Sequence, residues 1–228
     1  MKLIKAASVA AGTGILVASA LAQAQAQAPS PFYYRVDTGY SWATDMKMQD
    51  QAFQGVICGP GCASPGQLDK AGNAWIVGLG VGYKFSREFR GDVVAGYRSG
   101  YSIGEFDQNN SYFSSSSMSS WSLLANGYFD IPLGSRMSAY VGAGAGMAWN
   151  NTDGLVNVST GFVSPGTDKY NFAWNGMIGV SIPVSSGVTV DVGYRYIDLG
   201  DVQTGATVGY GGATGKLRAN ELQFGLRF

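Results

Sequence analysis

The chain has no histidine and only two cysteines in 228 residues. Without histidine there is no Ser-His-Asp triad, no imidazole general base and no imidazole metal ligand. With no histidine and no second cysteine pair, a metal or redox centre has little to build on, and no cofactor is expected. Charge is scarce as well. Asp, Glu, Lys and Arg make up 13% of the chain, against roughly 25% in soluble domains. Beyond the N-terminal region no stretch is apolar for the roughly 20 residues that a transmembrane helix needs. What is plentiful is glycine, at 34 residues, and aromatic side chains, at 13%. That combination describes a chain that meets lipid through strands rather than helices.

The N-terminus has its own chemistry. Lys2 and Lys5 precede a short run of small apolar residues, and Ala22-Gln23-Ala24-Gln25-Ala26-Gln27-Ala28 supplies overlapping A-x-A sites. This predicts a secretory signal peptide over 1–26, with a single domain over 27–228. Pro29 disfavours cleavage after Ala28. Loss of the two lysines leaves 13 basic against 15 acidic residues in the exported chain.

The segment that organises the remainder is the last one, Glu221-Leu222-Gln223-Phe224-Gly225-Leu226-Arg227-Phe228. It alternates strictly, with Leu222, Phe224, Leu226 and Phe228 on one face. Period two means a strand with one apolar side. Seven further segments alternate in the same way, over 33–42, 74–85, 89–98, 121–131, 137–149, 170–182 and 188–198. The connections after the second, fourth and sixth are short (86–88, 132–136, 183–187). Those after the first, third, fifth and seventh are long (43–73, 99–120, 150–169, 199–217). Eight strands with short turns at one end and long loops at the other predict an all-β fold. It is an eight-stranded antiparallel up-and-down transmembrane β-barrel, sealed by pairing of the first and last strands, with both termini in the periplasm.

The two faces divide the chemistry. No expected outward position carries a charge, as lipid requires, whereas a soluble sandwich would put its charges outward. Outward tryptophans gather at the loop end of their strands. Trp42, Trp75, Trp121 and Trp149, with Tyr97 and Tyr196, predict an aromatic girdle at the outer interface. The inward face collects Arg35, Lys84, Arg90, Arg98, Arg195 and Arg227 against Asp37, Asp92, Asp130, Asp191 and Glu221. Eight strands enclose a space that side chains can fill, so these charges are expected to pair as a salt-bridged lumen network rather than stand unpaired. Glycine rows at 78, 80 and 82 and at 142, 144 and 146 would leave room for the long arginines. A narrow water-filled channel for small solutes is the alternative use of the same charges.

In the first long loop Cys58-Gly59-Pro60-Gly61-Cys62 predicts a disulfide between Cys58 and Cys62 in an exported protein. The loops carry a net negative charge, which argues against nucleic acid and other polyanions as partners.

Asp191-Val192-Gly193-Tyr194-Arg195-Tyr196-Ile197-Asp198-Leu199-Gly200, the repeat Tyr140-Val141-Gly142-Ala143-Gly144-Ala145-Gly146 and the aromatic end of the last strand resemble the opacity-type, OmpA-like small outer-membrane barrels. Surface antigens of alphaproteobacteria, some of them called porins, are of this kind. The resemblance implies the outer membrane of a Gram-negative bacterium and contact with its lipid. It also implies insertion by the outer-membrane assembly machinery, which would read Gln223, Gly225, Leu226 and Phe228. A non-catalytic role in the envelope or as a surface antigen and adhesin is then expected, with any host or envelope ligand held by the loops. The barrel is expected to be a monomer.

Overall fold

The computed structural model describes residues 30–44, 49–50, 72–106, 112–134, 137–154, 156–157, 165–203, 205 and 213–228. They form ten strands: β1 Phe32–Ala43, β2 Gln49–Asp50, β3 Asn73–Lys84, β4 Phe89–Phe106, β5 Tyr112–Pro132, β6 Ser138–Thr152, β7 Val156–Asn157, β8 Thr167–Ser185, β9 Val188–Gln203 and β10 Ala213–Arg227. Eight are long, and each pairs antiparallel with its neighbour in the chain. The first and last of them pair from Arg35↔Arg227 to Ala43↔Ala219 and close the barrel. The two-residue strands β2 and β7 only extend the edges of β10 and β5.

Alternation in the sequence becomes sidedness in the wall. A residue pointing inward places its neighbours two away on the same side. Thus Arg35, Asp37 and Ser41 are buried, while Tyr34, Tyr40 and Trp42 are exposed. On β3 every second residue from Trp75 to Tyr83 is exposed, and Ala74 and Ile76 are buried. Leu79 stands near the middle of this apolar face with 58% of its surface exposed. Replacing Leu79 by arginine is expected to cost about 2–4 kcal/mol. Reversible urea unfolding in lipid vesicles measures it, and a cost below the range would mean that this face does not meet hydrocarbon.

The strands run past the predicted limits at the loop end. The connection expected over 99–120 is largely strand: β4 continues to Phe106 and β5 begins at Tyr112, paired from Tyr101↔Met118 to Phe106↔Tyr112. The connections expected over 150–169 and 199–217 shrink in the same way, since β8 begins at Thr167, β9 ends at Gln203 and β10 begins at Ala213. A bilayer needs strands of roughly 9–11 residues, yet β4 has 18, β5 21 and β8 19. The nine residues of β5 before Trp121 amount to roughly 30 Å of strand beyond the girdle.

A bulge redirects β4 as it leaves the membrane. The register with β5 shifts between Ser99 and Tyr101, and Gly100 there has φ +115°, a region that glycine reaches freely. One extra residue flips the parity of everything after it. Tyr101 therefore turns into the lumen, where it is 1% exposed, instead of facing outward.

Candidate functional site

The lumen is filled in two layers. Toward the periplasm Arg35 is the hub. Its Nε donates to Asp37 Oδ2 at 2.9 Å and its Nη2 to Asp37 Oδ1 at 2.8 Å, while Nη1 reaches Asp92 Oδ2 at 2.7 Å and the Tyr128 hydroxyl at 2.8 Å. Asp92 also accepts from Tyr33 at 3.1 Å and from Asn126 Nδ2 at 2.8 Å. Arg90 pairs with Asp130 at 2.8 Å and lies over the Tyr128 ring, 3.9 Å from its centroid. Arg227 pairs with Asp191 at 2.7 Å, and Ser181 bridges the two.

Higher up, Glu221 is held between two arginines. Arg98 Nε donates to one carboxylate oxygen at 2.6 Å, and Arg195 meets the other at 2.5 Å. Arg98 and Glu221 are completely buried. Ser41 donates to Glu221 at 3.3 Å and shares a 2.5 Å hydrogen bond with the Tyr101 hydroxyl. Gln223 adds its amide oxygen to the Arg195 guanidinium. Above this triad the lumen turns mainly apolar, with Ser120, Asn150 and Thr152 buried in the same layer. Tyr101, Met118, Leu199, Val202, Leu217 and Ala219 belong to one buried cluster, each no more than 2% exposed. All of them lie nearer the loop end than Arg98, Arg195 and Glu221.

The eleven charged residues expected in the lumen therefore divide. Ten of them meet in ion pairs: Arg35 with Asp37 and Asp92, Arg90 with Asp130, Arg98 and Arg195 with Glu221, and Arg227 with Asp191. Lys84 is the correction. It ends β3 at the periplasmic rim, is exposed, and makes no ion pair among the described residues. A lysine at the rim keeps its ammonium in water along a flexible stem. The space beside the glycine rows goes mainly to other groups. Of the two rows only Gly80 abuts an arginine, Arg35, while Gly82 faces the Tyr33 ring, Gly142 the Tyr128 ring and Gly144 the Asn126 amide. Ser41, on the expected inward face, completes the network together with Tyr33, Tyr101, Asn175 and Ser181, which went unnoticed in the sequence. Parity alone would have found all but Tyr101. Asp198, at the expected end of the seventh segment, and Arg218, just past the expected loop, sit on β9 and β10 and pair at 2.9 Å.

Outside, the six girdle residues all face outward. Ring pairs join Tyr97 to Trp121 at 4.5 Å and Trp149 to Tyr170 at 6.0 Å, and Tyr40, Tyr170 and Trp174 enlarge the set. On the last strand Gln223 and Gly225 point inward, Leu226 and Phe228 outward. The Phe228 backbone exchanges hydrogen bonds with Tyr34 at 2.8 and 3.0 Å. Cys58, Cys62 and the predicted signal peptide lie outside the described residues.

Comparison with known proteins then decides the family. The outer membrane protein β-barrel domain family matches residues 13–228. The chain belongs to this family. The barrel is an integral protein of the Gram-negative outer membrane, in keeping with the uncharged outer face of its strands below the girdle. An uncharacterized protein of Brucella abortus is 28% identical over 141 residues, which cover 53% of this chain and 50% of that one. The chain thus spans about half the length of that relative. A candidate adhesin of Rickettsia prowazekii is 27% identical over 210 residues, 86% of each chain. Among solved structures, Neisserial surface protein A superposes with a TM-score of 0.51 at 18% identity, covering 88% of this barrel and 98% of that chain. It shares the fold.

Proposed function

We propose that this outer-membrane barrel is a non-catalytic surface protein whose extracellular hairpins carry an adhesion-type interaction, with the barrel as their anchor. One observation carries the reading: the lumen is stoppered by the apolar cluster around Tyr101, Met118 and Leu199, while the β4–β5 hairpin stays paired well beyond Trp121. The protein spends its length on outward display rather than on a passage. The candidate adhesin among its relatives supports the same role. A solute channel is disfavoured, because a path through this lumen would have to break the apolar layer and the ion pairs beneath it. Pairing of β1 with β10 closes the wall without a second chain, which supports a monomeric barrel. The outer-membrane assembly machinery reads the terminal strand through Gln223, Gly225, Leu226 and Phe228.

The test joins two measurements. The refolded protein is expected to be silent in a planar bilayer. Non-adherent bacteria displaying it are expected to bind host cells, and to lose that binding when residues 104–115 are replaced by a tight Asn-Gly turn joining the paired Ile103 and Ser116. Steady conductance, or adherence that survives the trimming of a barrel still present at the surface, would overturn the proposal.

A further inference from the structure

On the outer wall of β5, β6 and β8, side chains stack in three horizontal rungs set by register. Ser119↔Asn151↔Asp168 forms the highest, Trp121↔Trp149↔Tyr170 the middle, and Leu123↔Met147↔Phe172 the lowest. Successive rungs are two residues apart, about 7 Å. The upper two rungs line a recess of about 280 Å³. Asn151 donates a hydrogen bond to Asp168 and ties their side chains into one unit. Below them Trp121 and Tyr170 present 53% and 74% of their surface outward, and Met147 and Phe172 54% and 69%.

We propose that this wall binds the saccharide headgroup of a glycolipid in the outer leaflet of the same membrane. The order of the rungs matches the order of chemistry along such a lipid. Carboxylate, amide and hydroxyl groups meet sugar hydroxyls, the flat aromatic rings take the apolar faces of the sugar, and the lowest rung runs beside the acyl chains. Aromatic residues alone would mark the ordinary interfacial belt. Here a bonded polar pair shares one recess with them. The contacts of the rung are with sugar hydroxyls and not with phosphate. It contains no lysine or arginine, and the neighbouring Lys169 turns to the other face, its Nζ 3.5 Å from Gln203 Oε1. A free saccharide would leave the lowest rung without a partner, which is why the anchored lipid is the occupant.

The test uses the full barrel refolded in phosphatidylcholine vesicles, with and without rough lipopolysaccharide, followed by detergent extraction and native mass spectrometry. The wild type is expected to retain lipopolysaccharide. An Asn151→Ala/Asp168→Ala variant is expected to retain about tenfold less, as loss of two ligand hydrogen bonds implies. Both positions are exposed, and heat-modifiable gel migration checks that the variant folds. Asn73→Ala, a polar change at the rim of another strand, should retain as much as the wild type. Equal retention by the double variant would overturn the proposal. So would equal retention of phosphatidylglycerol in place of lipopolysaccharide, or binding of a free disaccharide as tight as that of the glycolipid.

Discussion

Replacing Glu221 by alanine should destabilise the barrel more than any other single truncation, by about 3–5 kcal/mol. The carboxylate is fully buried and serves two guanidinium groups, Arg98 at 2.6 Å and Arg195 at 2.5 Å. Removing it leaves two like charges facing each other beneath an apolar layer. Arg98 suffers most. It is wholly buried, and among the described residues its other side-chain hydrogen bond goes to Ser122 at 2.9 Å. Arg195 keeps Gln223 beside it and some exposure. The cost is measured by urea unfolding in vesicles. Replacing all three residues by methionine or leucine should recover most of it, because an apolar substitute for a complete buried ion cluster is often neutral. A Glu221→Ala cost below about 1 kcal/mol would mean that water reaches the triad and that the lumen is open.

That triad shows where sequence reasoning succeeds and where it stops. The faces were legible because a strand has a period of two. Leu222, Phe224, Leu226 and Phe228 on one side force Glu221, Gln223, Gly225 and Arg227 to the other. Partners were not legible. Arg98 and Glu221 lie 123 positions apart, and only closure of β1 on β10 and the stagger of the wall bring them together. The apolar stopper was hidden for a different reason. Leu199, Val202 and Leu217 lie among glycine, aspartate and threonine, which read as loop, yet backbone pairing carries the strand through them. Tyr101 was hidden by the bulge at Gly100, because one added residue reverses the face that simple alternation assigns. The serine-rich ends of β4 and β5 were invisible to hydrophobic periodicity, since strands standing clear of the bilayer need no apolar outer face.

Replacing Arg35 by methionine should cost about 3–5 kcal/mol as well, and the pattern of rescue should distinguish its two partners. Arg35 fills both oxygens of Asp37 and also reaches Asp92. Asp37 depends on it entirely for side-chain hydrogen bonds among the described residues. Asp92 would retain Tyr33, Asn126 and Tyr128. Without the guanidinium, Asp37 is therefore the stranded carboxylate. Adding Asp37→Asn to Arg35→Met should restore more than half of the lost stability, and adding Asp92→Asn should restore less. A double-mutant cycle by urea unfolding reads the two couplings directly. Better rescue by Asp92→Asn would show that the Asp92 hydrogen bonds do not hold without the arginine, so that Arg35 organises the whole periplasmic layer. The predicted order would mean that Tyr33, Asn126 and Tyr128 form a scaffold on which Arg35 is the final cross-link between β1 and β4.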